Sequence, residues 1–168
     1  MSPESAPSHD LPDTPDQPDQ PDQPDQPSLP TLPDLSDLLA LMPFASQLGI
    51  ELRKAEPGEV IGSLAYSPRL CTAGGVLHGG ALMTLADTLG AVCAYLNLPP
   101  GGRTATTTSA TNFLRPVGAG SVTGTATPVH LGRSVIVVRI DVTDAHGKLA
   151  ATTTQTQAVL PGPQERRT

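Results

Sequence analysis

Between His78 and Leu98 the chain runs through apolar or small residues almost without interruption, and His78 and Asp87 are the only ordinarily charge-bearing side chains in that span. A helix of that composition is buried on nearly every side. It has to stop at Pro99-Pro100-Gly101-Gly102, which cannot continue a helix. Any fold open to this chain must therefore enclose that helix.

Everything downstream of the stop has β character. Thr104 to Leu114 is dense in threonine. Gly120 to Leu131, Ser134 to Thr143 and Lys148 to Leu160 follow, divided by Pro116 to Gly118, by Gly132-Arg133 and by the turn Asp144-Ala145-His146-Gly147. Within the third of these runs Ile136, Val138, Ile140 and Val142 share one face, while Arg139 and Asp141 share the other. That is the alternation of a sheet with one side on a core. Upstream, Ile50 to Lys54 and Glu59 to Tyr66 read as two strands joined by the turn Glu56-Pro57-Gly58. Leu35 to Leu48 reads as a short leading helix, with Asp34 or Ser36 placed to cap it and a break expected at Pro43. Six strands and one long apolar helix predict an α+β fold, an antiparallel sheet of about six strands that curls around the helix and uses it as its core.

The 168 residues suffice for one domain with a proper core. Charge is distributed unevenly along them. Nine of the 16 acidic residues fall in residues 1–37, which contain no Lys or Arg, so residues 38–168 keep seven acids against all ten bases. Pro15-Asp16-Gln17 repeats in register through Gln26, and such a segment has too little apolar surface to offset its ordering entropy. We therefore expect a disordered acidic tail over 1–33, a folded domain over 34–162 and a flexible end over 163–168. The mildly basic domain suits a polyanionic small molecule. It has no dense Lys/Arg cluster and few aromatic side chains, which argues against nucleic acid. Met1-Ser2-Pro3-Glu4 has neither the basic start nor the apolar run of a secretory signal, and no uncharged stretch reaches spanning length. A cytoplasmic protein without a membrane segment is expected. Cys71 and Cys93 lack the paired spacing of a metal site and read as two reduced thiols.

Asp87 is the residue that a purely structural account explains worst, because a carboxylate is seldom buried without a partner and its helix offers no cation. Three, four and seven positions from it stand Gly80, Met83, Thr84, Gly90, Ala91 and Ala94, nearly all small. Leu85, Leu89, Val92 and Leu96 form the opposite, core-facing stripe. The helix thus gives one face to packing and the other to a cleft or a partner subunit; a solvated surface Asp is the plainer alternative. Ahead of the helix, the glycines of Gly74-Gly75-Val76-Leu77-His78-Gly79-Gly80 let backbone N–H groups approach a ligand at the positive end of the helix dipole. A glycine-rich run alone would be read as a loop and a helix start. Its conjunction with Asp87 points to an oxyanion site.

Four motifs, His78-Gly79-Gly80-Ala81, Leu85-Ala86-Asp87, Asn112-Phe113-Leu114-Arg115-Pro116 and Gly132-Arg133-Ser134, closely resemble the PaaI-like branch of the hotdog thioesterase superfamily over about residues 40–160. The resemblance implies a hotdog fold and hydrolysis of acyl-CoA thioesters. Asp87 would be nucleophile or general base, the N–H of Gly79 would polarise the thioester carbonyl, and His78 would shape the turn and contact substrate. Gly80, Thr72, Asn112 and Phe113 would border the substrate. Arg115 and Arg133, with Gly132 and Ser134, lie in motifs where guanidinium forks could hold the phosphates of coenzyme A. Thr72 departs from the pattern, since members often carry Asn or Gln six residues before the His. The resemblance further implies a homodimer or homotetramer with sheets joined edge to edge and sites built from two subunits. No metal is required, and the only coenzyme is the one in the substrate. The rival readings are a non-catalytic acyl-CoA binding or sensing module and a hydratase or dehydratase on the same fold.

Overall fold

The computed structural model describes residues 34–162. The expected acidic tail, 1–33, and the expected flexible end, 163–168, lie outside the described residues.

The leading helix is two helices, α1 (Leu35–Ala40) and α2 (Pro43–Leu48). Pro43 is the first residue of α2, where its missing N–H costs nothing. It holds Met42 out of the helical region at φ −124°, ψ 73°, and so divides the segment. Asp34 occupies the N-cap position of α1 without a side-chain bond to the helix. At the far end of α2, Gly49 takes the left-handed conformation at φ +80° and turns the chain directly into β1 (Ile50–Glu56). Glu56 pairs with Glu59, so Pro57 and Gly58 form the tight connection to β2 (Glu59–Ala65).

A 3-10 turn at Pro68–Leu70 and a loop lead into α3 (Gly79–Leu96), after which come β3 (Arg103–Phe113), β4 (Ser121–Leu131), β5 (Val135–Thr143) and β6 (Leu149–Leu160). The six strands form one antiparallel sheet in the order β1-β2-β4-β5-β6-β3. β3 follows the helix in sequence but joins the far edge, so the sheet wraps α3, and the helix touches all six strands. By length and composition α3 also meets the measure of a membrane-crossing helix, as the core helix of a wrapped sheet does; here its stripe is enclosed by strands.

The expected face of β5 holds, with Ile136, Val138, Ile140 and Val142 all buried, and Arg139 reaching Asp141 at 3.0 Å on the outer face. Leu85, Leu89 and Val92 are buried as the core stripe of α3. Leu89 sits in a socket made by glycines on neighbouring strands. Gly62 and Gly124 are register partners, and a Cβ on either would come within 2.7 Å or 2.5 Å of a Leu89 methyl. The absent side chains let the helix settle onto the sheet at close-packed distance. Cys71 and Cys93 are free thiols, and burial pushes the Cys93 thiol up to about 11, far from reactivity.

Candidate active site

The loop before α3 is tied down at several points. Thr72 N–H donates to the Val76 carbonyl at 2.8 Å, Gly75 turns at φ +72°, and the Tyr66 hydroxyl donates to the Gly75 carbonyl at 3.0 Å. His78 N–H bonds the Leu70 carbonyl and Leu77 N–H bonds the Val117 carbonyl, both at 2.8 Å. His78 is then held as the N-cap of α3. Its Nδ1 accepts from the Gly80 N–H at 2.8 Å, and its carbonyl accepts from Ala81 and Leu82 at 2.9 and 3.3 Å. The first turn of a helix leaves its N–H groups without intrahelical partners. His78 satisfies those of Gly80, Ala81 and Leu82, so among the described residues the Gly79 N–H is the one left open. With Nδ1 accepting, neutral His78 carries its proton on Nε2. Phe113 lies against Gly79, where a Cβ would come within 2.9 Å of the tip of its ring, so a side chain there would have to push the exposed Phe113 aside.

Asp87 does not sit buried, as expected, but is exposed on the face of α3 that the sheet leaves open. Its Oδ1 accepts from Gln155 Nε2 and from the Thr106 hydroxyl, at 3.3 Å for the latter. The small-residue face expected around it splits in two. Gly80, Met83 and Asp87 are exposed, and Thr84 and Ala91 half-buried, but Gly90 and Ala94 point into the core. Gly90 is small because Gln155 is beside it: a Cβ there would collide with the amide oxygen of Gln155 and press on Ile140. Along the open stripe a cavity of about 290 Å³ lies between Asp87, Thr84 and the α2 residues Pro43 and Phe44. A second, nearly all apolar cavity of about 180 Å³ continues it under Leu38, Leu41 and Tyr95, and Met42 and Ala91 border both.

The remaining predicted residues fall into separate places. His78 and Gly80 line one cavity with Phe44 and Thr84. Gly79, Phe113 and Arg115 line another on the opposite side of the turn, and Asn112 is exposed nearby on β3. Thr72 folds back on its own loop, its hydroxyl 3.4 Å from the Val76 carbonyl. Gly132, Arg133 and Ser134 form the β4–β5 turn, where a Cβ on Gly132 would meet the Val135 carbonyl at 2.8 Å. Arg133 lines a cavity with Pro99, Gly102 and Leu160 beside the start of β3, whereas Arg115 follows its end. An 11-residue strand spans about 35 Å, so the two guanidiniums do not converge within one chain.

Sequence reasoning missed Gln155 and Gln157. Both are fully buried on β6, with Gln157 Nε2 donating to Gln155 Oε1 at 2.7 Å and to the Thr106 hydroxyl at 2.8 Å. Their signal was present, because Thr152 to Gln157 is polar at every position and so polar on both faces of a central strand. The threonines of β3, read from the sequence only as strand composition, partly serve this network as well. Thr104 donates to Gln157 Oε1 at 3.0 Å.

Residues 74–151 match the model of the thioesterase superfamily. A Haemophilus influenzae protein whose name places it among candidate esterases is 35% identical over 115 residues, 68% of this chain and 83% of its own length. The proofreading thioesterase EntH of Klebsiella pneumoniae is 34% identical over 115 residues, 68% of this chain and 84% of that protein. The crystal structure of thioesterase HI1161 from Haemophilus influenzae superposes with a TM-score of 0.73 at 32% identity, covering 80% of this chain and 94% of the other. With the wrapped sheet, the His-capped glycine turn and the helix-borne carboxylate all present, the chain belongs to the hotdog-fold thioesterase family.

Proposed function

We propose that this protein hydrolyses acyl-CoA thioesters to the free acid and coenzyme A, at sites shared between two copies of the chain. Asp87 is the nucleophile or general base, and the Gly79 N–H receives the oxyanion of the tetrahedral intermediate. The observation that carries this reading is the pairing of an open Gly79 N–H with a carboxylate that keeps one oxygen, Oδ2, without a partner among the described residues.

The two groups lie on one helix eight residues apart, and at 1.5 Å rise per residue that is about 12 Å. A single carbonyl needs both within about 3 Å. Asp87 of one copy therefore works with Gly79 of another, which is the arrangement the resemblance implies, and β3 and β1, the two edges of the sheet among the described residues, offer strands to a second chain. A homodimer, or a tetramer of two dimers, satisfies this geometry, and assembly would also cover Asp87 and tighten its surroundings. A thioester carbonyl is already electrophilic, so charge stabilisation plus an activated water or a carboxylate attack suffices. Water addition splits the C–S bond, and the proton taken from water returns to the departing thiolate. The apolar cavity under Leu38, Leu41 and Tyr95 suits a compact acyl group, with the thioester presented to Asp87 at its mouth. Arg115, beside Gly79, and Arg133 can each offer a guanidinium to coenzyme A phosphates, at separate sites. The expected compartment, the cytoplasm, is where such substrates occur.

Thiol release from phenylacetyl-, benzoyl-, hexanoyl- and palmitoyl-CoA by the wild type and by Asp87→Ala tests the reading. Turnover that collapses in the variant supports it; tight binding without turnover in both proteins would leave an acyl-CoA sensing module. Mixing Asp87→Ala with Gly79→Pro chains tests the shared site: proline at the first helical position removes the N–H without breaking the helix, so mixed dimers regain one intact site and activity should partly return.

A further inference from the structure

We infer that Gln155, oriented by Gln157 and Thr106, is a positioning residue that selects which oxygen of Asp87 reacts; this rests on Asp87 being the catalytic carboxylate. Gln155 and Gln157 are both 0% exposed, and a buried amide is tolerated only when its donors and acceptors are paired. The pairing here closes a ring: Asp87 Oδ1 to Gln155, Gln155 to Gln157 at 2.7 Å, Gln157 to Thr106 at 2.8 Å, and Thr106 back to Asp87 Oδ1 at 3.3 Å.

Only one pattern of donation satisfies that ring. An ionised carboxylate accepts only, so Gln155 must present its NH2 to Asp87 and its Oε1 to Gln157. Gln157 must then present its NH2, whose two hydrogens go to Gln155 Oε1 and to Thr106 Oγ1. With its lone pair so engaged, Thr106 donates to Asp87, and Gln157 Oε1 is left to accept from Thr104 at 3.0 Å. Both donors converge on Oδ1. Oδ2 is left without a partner among the described residues, on a carboxylate that borders the cavity lined by Pro43, Phe44 and Thr84. Gly90 supports the same conclusion independently. A glycine in a helix interior costs about 1 kcal/mol relative to Ala, and this one is in place where any side chain would strike Gln155 Oε1.

The test is steady-state thiol release, on the best substrate of the CoA panel, by wild type, Gln155→Met, Thr106→Val and Gly90→Ala. Gln155→Met keeps volume and removes the donor. Its kcat should fall about 10- to 100-fold with KM within about twofold, as for other residues that orient a reacting group. In an Asp87→Asn background the same substitution should cost nothing further, because its effect runs through the carboxylate; a purely structural loss would appear in both backgrounds. Thr106→Val, exposed on an edge strand and close in shape, decides the matter if Gln155→Met is too unstable to assay, with an expected two- to tenfold loss in kcat. Gly90→Ala should resemble Gln155→Met. Unchanged kcat in Gln155→Met or Thr106→Val, or an equal loss in the Asp87→Asn background, would overturn the positioning role while leaving Asp87-dependent hydrolysis standing. A wild type that turns over no thioester would overturn the hydrolase reading and this one with it.

Discussion

β5 and β6 are hydrogen-bonded neighbours, both turning alternate side chains toward α3, and they present it with opposite chemistry. Ile136, Val138, Ile140 and Val142 of β5 stand directly opposite Gln157, Gln155, Thr153 and Ala151 of β6, and all eight are at most 1% exposed. Burying a Val or Ile side chain stabilises a fold by about 1.5–3 kcal/mol. A buried amide at best recovers what its desolvation costs. Had stability been the only demand, β6 would look like β5. The difference shows that one strand holds the helix and the other holds a side chain on that helix.

That division can be broken by experiment. The largest effect should come from Asp87→Ala, which removes the group the β6 amides face; kcat should fall roughly 10²- to 10⁴-fold in the thiol-release assay. On the β5 side, Ile140→Ala should cost about 2–5 kcal/mol of unfolding free energy in a urea titration, with kcat per folded molecule unchanged. A kcat loss there matching that of a β6 variant would erase the distinction. Gly124→Ala, which crowds Leu89 in its socket, should cost about 1–3 kcal/mol and again spare kcat.

The smallest effect concerns the turn that joins the two strands. The Asp144 carboxylate accepts from the N–H groups of Lys148 and His146, both at 2.9 Å, and these bonds, that of Lys148 foremost, hold its pKa below the ordinary carboxylate value. A carboxylate depressed in the folded state contributes stability above its unfolded pKa of about 3.9 and loses it as pH falls through the folded value. Asp144→Asn keeps an acceptor and removes the charge. The variant should be slightly less stable than wild type at pH 7, and the gap should close in strong acid, as paired urea titrations would show.

Much of this was legible in the chain. The long apolar run with its Pro-Pro-Gly-Gly stop became α3, the alternation of residues 134–143 became β5, and Pro43 divided the leading helix where its ring and missing N–H require. The His78-Gly79-Gly80 turn was also readable, because a helix N-terminus is a local structure whose partners lie within a few residues. Exposure of Asp87 was misjudged. Hydrophobic neighbours in sequence suggest burial, but which stripe of a helix the sheet covers is decided by where the strands close.

What the sequence determined by itself is therefore whatever depends on local periodicity and on residues that restrict their own backbone: the elements, their breaks, the core stripe of β5 and the turn that opens α3. Tertiary structure alone decided the surroundings of Asp87. Gln155 meets it from 68 residues away, Thr106 from 19, and Gly90 is small for the sake of an amide on another strand. Such contacts follow from strand order and register, with β3 crossing to the edge beside β6, and no short-range pattern encodes that pairing. The polar inner face of β6 was visible as letters; only the wrapped sheet gave those amides a carboxylate to hold.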